Sequence, residues 1–112
     1  MKKSTKLKQF DKITIQRIIE RDENCIFCKN YLYMPPAPRY EQSIHDIMHI
    51  VNKSQGGLGI EQNGVLGCRY HHSMMDNGNT DNAIQMRELA RNYLISIYPN
   101  WSVEQCTYDK WR

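Results

Sequence analysis

No stretch of the chain is apolar over enough residues to cross a membrane, and none has the short hydrophobic segment of an export signal. Internal repeats and low-complexity segments are missing as well. Apolar residues make up only 40% of the 112, and mean hydropathy is -0.71. These absences lead to one soluble domain with a thin core, expected in the cytoplasm. A core that thin often needs a metal or a disulfide to hold it. Cysteine is sparse too, 4 in all, and two of them form Cys25-x-x-Cys28. Without an export signal, such a pair in a short chain favours metal over a disulfide. Charge is not extreme: the formal net charge is +3 and the pI near 8.7.

What is present is unevenly placed. Lys2, Lys3, Lys6, Lys8 and Lys12 crowd the beginning, which reads as a basic, flexible arm over 1–13 that contacts phosphates. A solvated tail is the plain alternative. Residues 14–112 then form a single domain, with a core over 14–78 and helices over 80–112. Ile15, Ile18 and Ile19 recur at helical spacing, predicting a short helix from about 15 to 21 with Thr14 as N-cap. Pro35, Pro36 and Pro38 exclude a regular helix over 30–40, leaving a loop packed by its tyrosines. Residues 44–51 read as a strand. Its period of two puts Ile44, Asp46, Met48 and Ile50 on one face, and His45, Ile47, His49 and Val51 on the other.

Gly56, Gly57 and Gly59 let 52–61 turn sharply, and a tight Asn63-Gly64 turn leads into a second strand over 65–68. Residues 71–77 read as two helical turns closed by Gly78. A longer helix, capped by Asn79 or Thr80, runs to about Tyr98 and stops at Pro99. Its buried stripe is Met86, Leu89, Ala90, Tyr93, Leu94 and Ile97, with Met74 and Met75 joining Met86 in the core. Ser102 and Gln105 have capping-box spacing for a last turn or two carrying Trp101 and Trp111.

Chemistry concentrates between His45 and Gly78, which hold all 4 histidines: His45, His49, His71 and His72. Cys25-x-x-Cys28 and Cys68-x-x-His71 have the same spacing, and each can bite one ion. Together they supply the four ligands of a tetrahedral Cys₃His zinc site. Cys106 is a competitor for the fourth position, although it has no partner at knuckle spacing. With His71 assigned to zinc, His72 is left to point elsewhere, and Asp76 lies on its face four residues on. The strand, loop, strand and helix in succession bring His49, Asn63, His72 and Asp76 around one cavity.

At these residues the chain resembles the HNH endonucleases, above all the small phage and mobile-element type. Carrying the resemblance are Cys25-x-x-Cys28, His49, the Gly56-Gly57 loop, Asn63-Gly64 and Cys68-x-x-His71-His72, within residues 14–78. It implies an α+β fold built on a ββα-metal unit with flanking helices and a Cys₃His structural zinc. It also implies an enzyme that hydrolyses DNA phosphodiesters with one divalent cation, Mg²⁺ or Mn²⁺. His49 matches the general base, Asn63 the asparagine that steadies the loop behind it, and His72 a ligand of the catalytic cation. Asp76 falls where many members carry a further ligand.

Two departures from the family pattern matter. The residue before the base, an Asp or His ligand in the family, is Met48 here. A thioether is a poor ligand for cations that prefer oxygen, so Asp46 stands in as candidate, with His45 behind it. His71 takes a zinc position held by Cys in most relatives, an ordinary exchange for zinc. The expectation is a DNA endonuclease, monomer or homodimer, with no membrane partner, acting in the host cytoplasm if phage-encoded. Lys2, Lys3, Lys6 and Lys8 are its candidate DNA contacts. The alternative is a zinc-stapled nucleic-acid-binding module without catalysis.

Overall fold

Asp11 opens the first helix. In the computed structural model, which describes residues 6–76 and 80–109, helix α1 (Lys12–Asp22) starts where the Asp11 carboxylate accepts the Thr14 amide at 2.7 Å. Thr14, expected as the cap, therefore lies inside the first turn. The sequence favoured it because it immediately precedes the isoleucines, whereas an aspartate three residues earlier caps as well. Ile18 is buried, Ile15 half-buried and Ile19 outward. A single helical turn, α2 (Ile26–Lys29), joins the first two cysteines, with the Cys28 amide donating to Cys25 Sγ at 3.4 Å.

Residues 30–39 form the expected irregular loop. Only Tyr33 packs against the core, its hydroxyl meeting Gln85, whereas Tyr31 and Tyr40 face solvent. Strands β1 (His45–His49) and β2 (Gly64–Cys68) pair antiparallel, His45 opposite Cys68 and His49 opposite Gly64. The loop between them turns at Gly56, where φ is 88°. Asn63 ends a 3-10 turn (Glu61–Asn63), and Gly64 is already extended at φ -125° and ψ 141°. The expected tight Asn-Gly hairpin turn is thus absent at this point. The Asn63 side chain is buried and bonded instead to the loop it closes.

Helix α3 (Arg69–Asp76) follows β2 directly, starting two residues earlier than expected. Gly78, its expected terminator, lies outside the described residues, as do Lys2, Lys3 and Trp111. Helix α4 (Asp81–Ile97) is capped by Thr80, whose Oγ1 accepts the Ala83 amide at 3.1 Å. Its inner face is Ala83, Met86, Ala90 and Leu94, with Leu89 and Tyr93 at the margin. Ile97 is outward. Beyond it, residues 103–106 form turns rather than a helix, although the Gln105 amide does bond Ser102 Oγ at 3.1 Å. This segment straps the glycine loop: the Cys106 carbonyl accepts from Leu58 and the Gly56 carbonyl from Tyr108.

The core lies between the sheet, α2, α3 and α4, and comprises Ile26, Phe27, Met48, Ile50, Val65, Met75, Met86, Ala90 and Leu94. Met74 packs on its edge. A buried polar cluster extends it. Asp22, at 0% exposure, accepts the Leu66 amide at 2.8 Å, the Tyr93 hydroxyl at 2.5 Å and both arms of Arg21. Arg21 in turn donates to the carbonyls of Glu61 and Gly64. Helix α1, strand β2 and helix α4 meet on this one carboxylate.

Residues 6–13 do not stand away from the body as an arm would. The Leu7 carbonyl accepts from Gly59 at 2.9 Å, and the expected boundary at residue 13 falls within α1. The cause is apolar and backbone pairing that a count of lysines does not register.

Asp22→Ala is expected to cost about 3–5 kcal/mol, because it removes the counter-charge of the half-buried Arg21 and the acceptor of the buried Leu66 amide and the half-buried Tyr93 hydroxyl. Chemical denaturation of the zinc-loaded protein measures this. A loss below about 1 kcal/mol, the range of surface ion pairs, would show the cluster to be dispensable.

Candidate functional site

The turn of α2 presents Cys25 and Cys28, the end of β2 presents Cys68, and the first turn of α3 presents His71. The four ligand atoms lie within 4.8 Å of one another. His71 Nδ1 is 3.8 Å from Cys25 Sγ, 3.6 Å from Cys28 Sγ and 3.3 Å from Cys68 Sγ, and Cys28 and Cys68 sulfurs are 3.8 Å apart. Bonds of 2.3 Å to sulfur and 2.0–2.1 Å to nitrogen give a tetrahedron edges of about 3.8 Å and about 3.6 Å. The donor set therefore fits a cation such as zinc in both chemistry and spacing. His71 Nε2 donates to the Leu32 carbonyl at 2.6 Å, which fixes Nδ1 as the nitrogen aimed at the sulfurs. Gln42 adds an N–H to Cys28 Sγ at 3.5 Å.

Considered without a cation, these groups oppose one another. Burial pushes the Cys68 thiol up to about 12 and raises Cys28 as well. Burial acts the same way on Cys25, but hydrogen bonds from His71 and from the Cys28 and Cys68 amides bring it down to about 6. Cys106 stands apart, buried beside Trp101 and the Gln62 carbonyl. It does not compete with His71.

The second group lines a cavity of about 670 Å³ walled by His49, His72, Asp76 and Lys53, with Phe10, Ile47 and Met75 as its apolar side. Of the four residues expected there, three are present. Asn63 is not. It is fully buried behind the cavity, accepting the Val51 amide at 2.7 Å and donating to the Val51 and Leu58 carbonyls at 3.1 and 2.9 Å. Its own carbonyl accepts from Ile50 at 3.0 Å. Asn63 thus clamps the two residues that follow His49.

His49 Nε2 lies 2.7 Å from the Lys8 carbonyl. A carbonyl can only accept, so the proton is on Nε2 and the lone pair on Nδ1. Every buried side-chain nitrogen and oxygen among the described residues has a hydrogen-bond partner. Among the described residues Nδ1 of His49 has no such partner, so there it is left open to solvent. Burial lowers the His49 pKa below 6.5, the Lys8 carbonyl opposes this and the Lys53 ammonium reinforces it.

His72 sits between two carboxylates. Its Nδ1 is 3.0 Å from Asp46 Oδ2, and its Nε2 is 3.2 Å from Asp76 Oδ2. Asp46 also meets Arg69 Nε at 3.5 Å. Burial raises the Asp46 carboxyl, but His72 and Arg69 together hold it below the usual range. Alternation puts Asp46 and His49 on opposite faces of β1, yet His72 touches the first and shares a cavity with the second. Met48 is buried under Gly67 and reaches neither group. His45 turns the other way, 3.0 Å from Asn24 Oδ1. The acids flank opposite ring nitrogens, so they do not converge on one point. Among the described residues, only the Cys₃His group gathers three or more ligand atoms closely enough for an ion.

No periodicity places Lys8 and Phe10 beside His49, since both precede the first periodic segment. Asp22 was equally hidden, because an aspartate at the end of a charged helix reads as a solvated one. Among the described residues no helix is long and apolar enough to cross a membrane. No protein-family model, curated protein or solved structure matches the chain.

Replacing Cys25 or Cys68 with Ser is expected to release bound zinc and lower Tm by roughly 10 °C or more. Ligand bonds contribute folding free energy directly, and each kcal/mol is worth about 4–8 °C in a domain of this size. Cys106→Ser should retain one zinc per chain. Elemental analysis with thermal denaturation checks both, and a metal-free wild type of full stability would overturn the assignment.

Proposed function

We propose that the chain is an HNH-type endonuclease that hydrolyses DNA phosphodiesters, with His49 as general base and a divalent cation held at Asp46 and His72. The observation that carries this reading is the shared cavity: His49, with a solvent-facing basic nitrogen, and His72, paired to a carboxylate, line the same space. A structural-type metal cluster adjoins it, because His71 and His72 are neighbours on α3.

Water in the cavity gives a proton to His49 Nδ1 as its oxygen forms a bond to phosphorus. The bond from phosphorus to the departing sugar oxygen breaks, and that oxygen takes a proton from solvent. Lys53 on the cavity wall offers positive charge to the phosphate. Asp46 and His72, whose ligand atoms lie 3.0 Å apart, would be the residues to hold Mg²⁺ or Mn²⁺. When bound, such a cation supplies Lewis-acid stabilisation of the charge that develops on the phosphate oxygens. With a cation in place of the Nδ1 proton, Asp76 on the far nitrogen would accept the Nε2 proton and so present Nδ1 of His72 as a ligand. It is a positioning residue here, and Asp46 replaces the ligand that Met48 does not supply.

One observation favours the rival reading, a nucleic-acid-binding module without catalysis. Asp46 is already paired to Arg69, and its carboxylate and that of Asp76 do not meet around a common point. Plasmid nicking in Mg²⁺ or Mn²⁺ separates the two readings. His49→Ala should leave DNA and metal binding intact and slow turnover by roughly 10²–10⁴-fold. His72→Ala and Asp46→Asn should be partly rescued by raised Mn²⁺, whereas Asp76→Asn, which keeps an acceptor oxygen, should stay near the parent. A wild type that binds DNA without nicking it would uphold the binding-module reading, and four variants that nick as fast as an active wild type would place the active site outside this cavity.

The pH dependence follows from the same ring. Burial holds the His49 pKa below that of an ordinary imidazole, so more of it is free base at neutral pH and stronger acid is needed to remove that base. Lys53, His72 and Asp76 are the other charged or titratable groups on the cavity wall. At saturating Mn²⁺, the acid limb of kcat should fall at lower pH than an ordinary imidazole would give. A decline beginning above 7 would assign the base elsewhere.

A further inference from the structure

Residues 7–10 touch the proposed base from the side opposite its own strand. The Leu7 carbonyl is anchored by the Gly59 amide at 2.9 Å. The next residue, Lys8, turns its carbonyl onto His49 Nε2 at 2.7 Å. Phe10 then lays its ring against the imidazole, centroids 4.3 Å apart at 40°. Gly64 lies opposite His49 in the sheet, and a Cβ there would come within 2.8 Å of the Phe10 ring. The missing side chain leaves the space that Phe10 occupies. Two of these contacts, from Lys8 and Phe10, meet on one ring, and the Leu7 carbonyl anchors the segment that carries them.

We propose that residues 7–10 form a strap that locks His49 in the Nε2–H tautomer, with Phe10 as a positioning residue for the base. A free imidazole exchanges its proton between two nitrogens, and only the form with Nδ1 bare can take a proton from water in the cavity. The Lys8 carbonyl selects that form, and Phe10 prevents the ring from rotating away from it. Burial of the ring lowers the His49 pKa, and the Lys8 carbonyl of this segment opposes that shift. A stretch whose lysines suggest phosphate binding thereby supplies a backbone oxygen and an aromatic ring to the reactive centre.

The proposal rests on the nuclease reading for its purpose but not for its test. Imidazole nitrogen shifts of ¹⁵N-labelled, zinc-loaded full-length protein report the tautomer without DNA, the His49→Ala spectrum providing the assignment. Wild type should show His49 wholly as Nε2–H at neutral pH. Phe10→Leu keeps apolar volume but loses the ring, and should yield mixed tautomers and a kcat lowered about tenfold or more at unchanged KM. Gly59→Ala displaces the strap from its other side, because a Cβ there would meet the Gln9 carbonyl oxygen at 2.2 Å. It should mix the tautomers without altering any residue that touches His49. Zinc content in each variant shows that the fold persists, and should Phe10→Leu fail to fold, Gly59→Ala and the wild type remain.

A wild-type ring protonated on Nδ1, or evenly mixed, would overturn the strap. So would two folded variants that keep the wild-type tautomer. A chain that cuts no DNA yet holds the Nε2–H form, and loses it in both variants, would uphold the strap while refuting the nuclease reading.

Discussion

Three sulfurs and one ring nitrogen, drawn from a helical turn, a strand end and a helix start, lie within 4.8 Å of one another. Two buried thiols, a half-buried one and an imidazole have little reason to gather on their own, since burial disfavours their charged forms. A cation such as zinc reverses that balance, and the segments it collects are those that build the core. Phe27 sits between two of the ligands in sequence, and its ring lies 5.5 Å from that of His71. With few apolar residues to bury, a cation held there would orient the sheet and α3 through ligand geometry, which is directional where hydrophobic contact is not.

Two buried polar side chains extend the same economy. Asn63 and Asp22 are both fully buried, and each satisfies backbone groups that a two-stranded sheet leaves open. Asp22 takes the Leu66 amide on the outer edge of β2, a donor that a third strand would otherwise claim. Asn63 takes both the amide and the carbonyl of Val51, just past the end of β1. Neither touches the cavity, but His49 is held between the sheet pairing and the Asn63 clamp.

The element order was legible because it rests on local rules: alternation in β1, helical period in α4, prolines in the 30–40 loop. The Cys₃His ligands were legible for a similar reason, since knuckle spacing is itself local chemistry. Boundaries slipped where a side chain reached across three residues, as Asp11 does to cap α1. The Asn63-Gly64 pair shows a different limit. Its dipeptide propensity favours a tight turn, yet the amide is worth more buried against Val51, and tertiary bonding overrides the local preference. The docking of residues 6–10 had no local signature, because carbonyls and a lone phenylalanine carry no period. The choice between Asp46 and Asp76 was open for the same reason: both were in reach of His72 along the chain, and only distances separate their two nitrogens.

Helix α3 carries His71 and His72 side by side over only eight residues. A segment that short is not helical in water by itself, so its shape is borrowed from what grips it. Successive residues on a helix differ in direction by about 100°, and this angle alone assigns one imidazole to the sulfurs and the other to the cavity. The chain therefore tolerates insertions unequally. An extra residue in the 52–61 loop lengthens a connection, whereas one between Cys68 and His71 rotates both rings at once and exchanges or abolishes their assignments. Length variation in natural descendants of this chain should accordingly be confined to the loop, with the Cys68–His72 interval kept invariant.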